Sequence, residues 1–217
     1  MEKIKALVPM KGHSERVPNK NIRLIAGKPL FHWILESLSK SQYIDEIIIN
    51  TDSEEIAENA SANFDVIILK RPEELCGDMV SMSPLIKHDI SHTSGSLFLQ
   101  THSTNPLVKT ETIDRAIETF YKLSDHDSLF TVTPMWTRIF WKDGEPINHD
   151  PDNLIRTQDL DPIYEENSCL YLFSRDIFNK RENRLGFNPK MMVMDPIESI
   201  DIDEEHDFQL AEYFINH

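Results

Sequence analysis

Glycine is scarce in this 217-residue chain, six in all, and scattered, so no flexible linker divides it and no low-complexity tract interrupts it. Cysteine is scarcer. Cys76 and Cys169 lie 93 positions apart with no second Cys or paired His beside either, which spells neither a disulfide framework nor a zinc site. Both are expected as free thiols. Long apolar runs are missing too: none approaches the roughly 18 to 20 residues of a membrane helix, and the Met-Glu-Lys-Ile-Lys start leads into no signal-peptide core. The chain therefore reads as cytoplasmic, with no membrane partner. Positive charge is the last deficit, with 22 Lys and Arg against 37 Asp and Glu and a net charge of -15. That excludes nucleic acid as the main partner, because a phosphate backbone demands an extended basic surface.

Against this acidity one segment is basic. From Lys11 to Lys28 five cations (Lys11, Arg16, Lys20, Arg23, Lys28) meet a single acid, Glu15. The apolar run Ile4 to Met10 precedes the segment and a new one begins at Leu30, giving a strand, a donor-rich loop and a helix. An acidic protein repels a polyanion unless it gathers cations where the polyanion sits, and a triphosphate suits such a loop. Gly12 is expected to free the backbone so that N–H groups turn toward phosphate oxygens, and Pro18 stiffens the loop. A solvated basic surface loop has the same composition, and charge alone does not separate the two.

Beyond the loop, apolar spacing predicts a helix from Pro29 to about Lys40, a strand over Glu46 to Asn50, and a helix over about 53 to 62 with Asp52 and Glu55 as its capping box. Val66 to Leu69, Leu97 to Gln100 and Ser128 to Thr133 read as strands. Helices are expected from about Val80 to His92 and from a Thr110 cap to about Lys122. Ser168 to Ser174 is a further strand, Arg175 to Arg181 a short helix, Met191 to Met194 and Glu198 to Ile202 extended pieces, and Glu204 to Phe214 a last helix. Strands alternating with helices mean an α/β fold, a mostly parallel Rossmann-like sheet covered on both faces. The segment from about 135 to 167, with Trp136, Trp141, Gly144, Pro146 and Pro151, breaks the alternation and reads as an inserted arm of hairpins and loops in a single domain spanning 1–217. In such sheets ligands lie beyond the carboxyl ends of the strands. The basic loop, Thr51-Asp52, Arg71 and His102-Ser103-Thr104-Asn105 all start at such ends and are expected to converge on one crevice.

Ser199-Ile200-Asp201-Ile202-Asp203 carries a second signal. On an extended strand Asp201 and Asp203 point the same way and offer two carboxylates to one cation, while Ile200 and Ile202 face the core. Magnesium suits the pair, since it takes few protein oxygens and fills its shell with water and substrate phosphates. Acids enriched before a helix N-terminus, as in Asp203-Glu204-Glu205, produce the same pattern for dipole reasons.

These elements resemble one family. The run Val8-Pro9-Met10-Lys11-Gly12-His13-Ser14-Glu15-Arg16-Val17-Pro18-Asn19-Lys20-Asn21 is similar to the signature loop of the acylneuraminate (CMP-sialic acid synthetase) cytidylyltransferases, apolar-Pro-Ala-Arg-x-x-Ser-Lys-x-x-Pro-x-Lys-Asn, with Lys11 in place of Arg and Glu15 in place of Lys. Arg71-Pro72-Glu73-Glu74-Leu75 with Asp78 looks like the family's Arg-Pro-x-Glu-Leu-Ala-x-Asp. Glu198 to Asp203 looks like its Asp-Ser-Ile-Asp-Ile-Asp, and Arg156 to Pro162 leading to Asn167-Ser168-Cys169-Leu170-Tyr171 looks like its Arg-x-Gln-x-Leu-Pro and Asn-Gly-Ala-Ile-Tyr. His102 to Val108 departs from the family's Gln-Pro-Thr-Ser-Pro-Leu-Arg, so the reaction class carries over better than the identity of the acceptor.

The resemblance implies a nucleotide-diphospho-sugar transferase-like fold and a CTP-dependent enzyme that forms the CMP conjugate of an acidic sugar of sialic acid type and releases pyrophosphate. It implies nucleotide binding by Pro9, Lys11, Gly12, Ser14, Arg16, Lys20, Asn21, Arg71 and Asp78, with Lys11, Lys20 and Asp203 in catalysis. Asp201 and Asp203 would hold Mg2+, and His102, Thr104, Arg156 and Asn167 would face the acceptor. It also implies a homodimer joined through the arm. Two other readings stay open: a transferase for a phosphonate or other small acid, and a CTP-binding protein without turnover. An Asp-x-Asp glycosyltransferase fits poorly, because its acidic pair normally follows an early strand.

Overall fold

The computed structural model describes residues 2–77 and 79–217. At its centre lies β1 (Ile4–Met10), all seven residues buried, which explains why this strand is apolar without alternation. It pairs in parallel with β4 (Ile44–Thr51) and with β6 (Leu97–Thr101), and β4 pairs in parallel with β5 (Ile67–Lys70). β8 (Ile163–Ser174) runs antiparallel between β6 and β7 (Ser128–Met135), and β9 (Pro189–Val193) lies parallel to β7. The seven-stranded order is β5-β4-β1-β6-β8-β7-β9. A two-stranded ribbon of β2 (Leu24–Ile25) and β3 (Lys28–Pro29) precedes the first helix.

Period-two alternation divides the core into two faces. Ala6, Val8, Ile47, Ile49, Leu99, Leu170 and Leu172 pack with Phe31, Ile34 and Leu35 of α1 (Leu30–Ser39), Ile56 of α2 (Glu54–Asn63) and Ile113 and Ile117 of α4 (Thr110–Tyr121). Their neighbours Leu7, Ile48, Phe98, Tyr171 and Phe173 point the other way, onto Ile86 and Ile90 of α3 (Met82–Ser91) and Phe178 of α5 (Arg175–Arg181). Ile202 joins Ile25, Leu30 and Phe208 of α6 (Glu205–Asn216) in a third cluster, which brings the C-terminal helix against the end of the basic loop. The mostly parallel sheet with helices on both faces is the architecture that the alternation required.

Several local expectations are corrected. Ser53, not Asp52, caps α2, accepting from Ile56 N at 3.3 Å. Thr110 is the first helical residue of α4 rather than its cap, and its hydroxyl donates to the Ser37 carbonyl of α1 at 2.9 Å. Residues 198–203 form no strand: Glu198 and Ser199 lie in a turn and 200–203 run irregularly, because no strand is alongside to pair with. Ile200 and Ile202 still pack inward, against α6 and the ribbon. β8 begins at Ile163, earlier than expected, pairing Ile163 with Met135. Residues 136–162 thus leave and rejoin the sheet at one point, with an antiparallel Phe140–Pro146 bridge and a short 3₁₀ turn at Thr157–Asp159. Trp136, Phe140, Trp141 and Leu154 are each at least half exposed on it. Among the described residues no helix is long and apolar enough to cross a membrane.

Candidate active site

The basic loop leaves β1 at Met10 and is held down at three points. Val17 is fully buried, Lys20 N donates to the Val17 carbonyl at 3.2 Å, and Asn19 (φ 54) accepts from Ile22 N and Arg23 N at 3.1 and 3.0 Å. Asn is among the residues that tolerate this left-handed geometry. Asn21, almost fully buried, uses both ends of its amide: Nδ2 donates to the Lys11 carbonyl at 2.8 Å, and Oδ1 accepts from the Ser103 hydroxyl at 2.7 Å. The start of the loop is thereby tied to the segment after β6. Gly12 plays a different part from the one expected. Its N–H donates to Asp52 Oδ1 at 2.7 Å rather than standing open, and a Cβ there would sit 2.8 Å from Ser53 Cβ. Glycine is required by this close approach to the start of α2, not by a left-handed backbone.

The loop cations meet acids from the other end of the chain. Asp203 Oδ1 lies 2.7 Å from Arg16 Nη2 and 3.4 Å from Lys20 Nζ, and Lys20 also donates to the Ile202 carbonyl at 2.5 Å. Arg16 Nη1 reaches Glu204 at 3.5 Å. The acidic backbone is fixed in turn, since Asp207 accepts from Asp203 N and Glu204 N at 3.1 and 2.8 Å within the capping box of α6, and Ile202 N donates to the Thr104 carbonyl at 2.9 Å. Asp201 is deeper. Burial pushes its pKa up, a hydrogen bond from Thr104 opposes the shift, and Oδ1 is sealed from solvent without a partner.

Arg71 enters from the end of β5. Its Nε donates to Asn50 Oδ1 at 2.8 Å and its Nη2 to the Asn50 carbonyl at 3.0 Å, while Asn50 Nδ2 donates to buried Asp89 at 2.5 Å. His102 follows β6. Burial first, then the charges of Arg184 and Lys20, hold it down to a pKa of about 3 against the pull of Asp203, so its ring is neutral at physiological pH. Neither Asn50 nor Asp89 nor Arg184 was marked by any local pattern in the sequence.

Together these groups surround one cavity of about 370 Å³. Of the residues singled out from the sequence, Pro9, Lys11, Ser14, Arg16, Lys20, Asn21, Arg71, His102, Thr104 and Asp203 line it. Gly12 and Asp201 do not line it. Two residues expected on the acceptor side, Arg156 and Asn167, are not among those that line it. Arg156 is exposed on the arm and paired in a fork with Asp159, Nε–Oδ2 2.6 Å and Nη2–Oδ1 3.0 Å, a local i,i+3 attraction within its acidic segment. Asn167 is buried in a bulge of β8, where Oδ1 accepts from the Thr131 hydroxyl at 2.7 Å and from Cys169 N at 3.3 Å, and Nδ2 donates to Thr133 at 3.1 Å. Its amide closes the gap in the ladder. Asp78 lies outside the described residues.

Among the described residues no cluster of three or more His, Cys, Asp or Glu stands ready to hold a metal. Asp201 and Asp203 nonetheless fit a hard divalent cation that draws its other ligands from a substrate. Both offer carboxylate oxygens, and the orphaned Asp201 Oδ1 is the kind of buried atom that calls for an ion or a proton.

A loop that brings cations to a cavity at the carboxyl ends of a parallel sheet, with an acidic pair beside it, suits a nucleotidyltransferase. Residues 5–217 match the sequence model of the family described as Cytidylyltransferase, and the chain belongs to that family. It is 29% identical to the CMP-N,N'-diacetyllegionaminic acid synthase of Legionella pneumophila, over 97% of this chain and 95% of that protein. It is 26% identical to the N-acylneuraminate cytidylyltransferase of Escherichia coli O18:K1:H7 over 96% of this chain, which spans 51% of that longer protein. A solved structure of CMP:2-keto-3-deoxy-manno-octonic acid synthetase complexed with CTP superposes with a TM-score of 0.74 over 99% of this chain and 98% of that one, at 12% identity, and so shares its fold.

Proposed function

We propose that the protein transfers CMP from CTP to a hydroxyl of an acidic sugar of the nonulosonate class, releasing pyrophosphate. The observation that carries this reading is the convergence of Lys11, Arg16 and Lys20 with Asp203 on one cavity, in a chain of net charge -15. Its volume is within the range of about 300 to 1,000 Å³ typical of small-molecule sites. Names of the relatives support the acceptor class, since both curated relatives act on acids of that kind.

In this reading the loop cations take the triphosphate oxygens and neutralise charge as the acceptor oxygen attacks the α-phosphate in line. Arg71, held at two nitrogens by Asn50, lines the nucleotide side as a fixed cation. Asp201 and Asp203 would hold Mg2+, which when bound polarises phosphate oxygens and favours ionisation of a nearby hydroxyl. Asp203 also pairs with Arg16 and Lys20. The exposed Trp136, Phe140 and Trp141 of the arm suit coverage by a second copy of the chain, as a homodimer joined there would provide.

The test is pyrophosphate release from CTP and Mg2+ with a panel of nonulosonic, octulosonic and small phosphonic acids, ATP, GTP and UTP serving as alternative donors. Release with CTP and a nonulosonic acid alone is expected. Turnover of a phosphonate instead would replace the acceptor class. CTP binding without release for any acid would overturn catalysis in favour of a nucleotide-binding role.

A further inference from the structure

One polar chain behind the cavity wall is left unused by this chemistry. It runs from Arg184, in the segment after α5, through Gln100 of β6 to His102. Gln100 is fully buried; its Oε1 accepts from Arg184 Nη1, and its Nε2 lies 2.8 Å from the Thr101 carbonyl and 3.1 Å from His102 Nε2. The direction of these bonds follows from chemistry. A guanidinium only donates, so it must meet the amide oxygen, and the amide nitrogen is then left to donate in both of its contacts. His102 Nε2 therefore accepts, and a neutral ring that accepts at Nε2 carries its proton on Nδ1. Among the described residues no hydrogen bond within the chain engages His102 Nδ1, it is not among the atoms sealed from solvent, and the residue lines the cavity. Arg184 is itself locked, its guanidinium 3.4 Å above the Tyr171 ring and Nη2 3.8 Å from Glu166 Oε1, to which Tyr171 also donates. The groups facing the imidazole with charge are Arg184, Lys20 and Asp203, and their balance with burial keeps the ring neutral.

We propose that Arg184 is a positioning residue that acts through Gln100 to hold His102 as its Nδ1–H tautomer, so that the imidazole presents the acidic acceptor with a neutral hydrogen-bond donor. The proposal rests on the acceptor reading above for the identity of the ligand, but not for the tautomer. A neutral donor suits an oxygen of the acceptor beside cations already committed to phosphate, because it adds direction without another charge. The Arg184 partner is 84 positions from Gln100, out of reach of any local motif.

Two variants separate the outcomes. Gln100→Glu is isosteric and keeps an oxygen for Arg184, but replaces the donor to His102 by an acceptor, which reverses the tautomer. Arg184→Met removes the group that orients the amide. Long-range ¹⁵N–¹H spectra of the imidazoles, without any nucleotide or acceptor and assigned with His102→Gln, are expected to show Nδ1–H in the wild type. Nε2–H is expected in Gln100→Glu and a mixture in Arg184→Met. With the acceptor identified by the panel, KM for that acid should rise about tenfold in Gln100→Glu, the worth of one neutral hydrogen bond, and roughly two- to threefold in Arg184→Met, where part of the population keeps Nδ1–H, while KM for CTP and kcat stay unchanged within error. A wild-type Nε2–H form, or an unchanged tautomer in Arg184→Met, would overturn the proposal. Equal changes in the KM of CTP and of the acid would reduce Arg184 to a structural residue and overturn it as well. Silence of every acid in the panel, with Nδ1–H still observed, would count against the acceptor reading and leave the tautomer relay supported.

Discussion

Substituting Gly12 by Ala tests the claim that this glycine exists for a close approach. The added Cβ would lie 2.8 Å from Ser53 Cβ, whereas non-bonded carbons sit about 3.5 to 4.0 Å apart, so the loop must retreat by at least ~0.7 Å. The same retreat stretches the 2.7 Å bond from Gly12 N to Asp52 past the ~3.2 Å limit of a good N–H···O bond. Overpacking costs about 1–3 kcal/mol and a hydrogen bond to a carboxylate ~1.5–3 kcal/mol; the site is open to solvent, so the low ends apply and the sum is about 2–3 kcal/mol. For a chain of this size the expected fall in Tm is roughly 4–12 °C. Pyrophosphate release should drop about 10- to 100-fold, because Lys11 and Ser14 follow the displaced backbone. The control is Ser53→Gly, which removes the opposing Cβ; glycine is an acceptable N-cap and costs only a few tenths of a kcal/mol. Urea unfolding of the four corners of the cycle should show the double variant recovering most of the loss. Gly12→Ala within 0.5 kcal/mol of wild type, or a double variant no better than the single, would refute the reasoning.

Ser168 sits at φ 58 in the β8 bulge, a left-handed position that costs a residue with a Cβ about 1 kcal/mol, so Ser168→Gly should raise Tm by ~2 °C in calorimetry. A lower Tm would show that its hydroxyl, 3.4 Å from the Tyr171 oxygen, matters more than the backbone. Asp89 is fully buried with Oδ2 unpartnered, and burial raises its pKa despite the bonds from Asn50 and His88 and the charge of Arg71. Between the unfolded value near 4 and that raised value the folded state holds the extra proton, so the Asp89 contribution to stability falls as pH rises through the window. Asp89→Asn lacks this slope. Its stability relative to wild type should improve as pH climbs from 4 to 7, and a gap in urea midpoints that is constant over that range would contradict the assignment.

The sheet was legible because its strands are defined by burial, and burial is written in composition. Ile47-Ile48-Ile49 can only be a strand covered on both faces, and Ile47 and Ile49 do face one set of helices while Ile48 faces the other. The stretch ending at Asp203 shows where that logic stops. Alternation of Ile200 and Ile202 with acids is satisfied by packing on α6 without any ladder, since period two records which side is buried and not whether a partner strand exists. Arg156 and Asn167 show a related ambiguity: a forked pair with Asp159 and the closure of a bulge are local needs that use the same residue types as substrate recognition. The relays that shape the cavity, Arg71–Asn50–Asp89 and Arg184–Gln100–His102, depend on Arg71–Asn50, Asn50–Asp89 and Arg184–Gln100 links that span 21, 39 and 84 positions and leave no periodicity to find.

Charge balance explains why the acids around the loop do not defeat it. Asp203 faces Arg16 and Lys20, so cations that would repel one another across the cavity rim are held in place by a carboxylate that is itself half exposed and easily re-paired. A triphosphate arriving alone would have to compete with Asp203 for the same two side chains, and a divalent cation arriving alone would take Asp203 from Arg16 and Lys20, leaving them Glu204 and the Ile202 carbonyl. Under the proposed function the two arriving together would exchange partners: phosphate oxygens would take the cations and Asp203 would be free to hold the metal. On the proposed function, CTP and Mg2+ must therefore strengthen each other's binding, and in Asp203→Asn that coupling should largely vanish, with CTP alone bound at least as tightly as by wild type. Titration calorimetry of CTP with and without Mg2+ measures both quantities; coupling that survives intact in Asp203→Asn would show that the exchange does not run through this carboxylate.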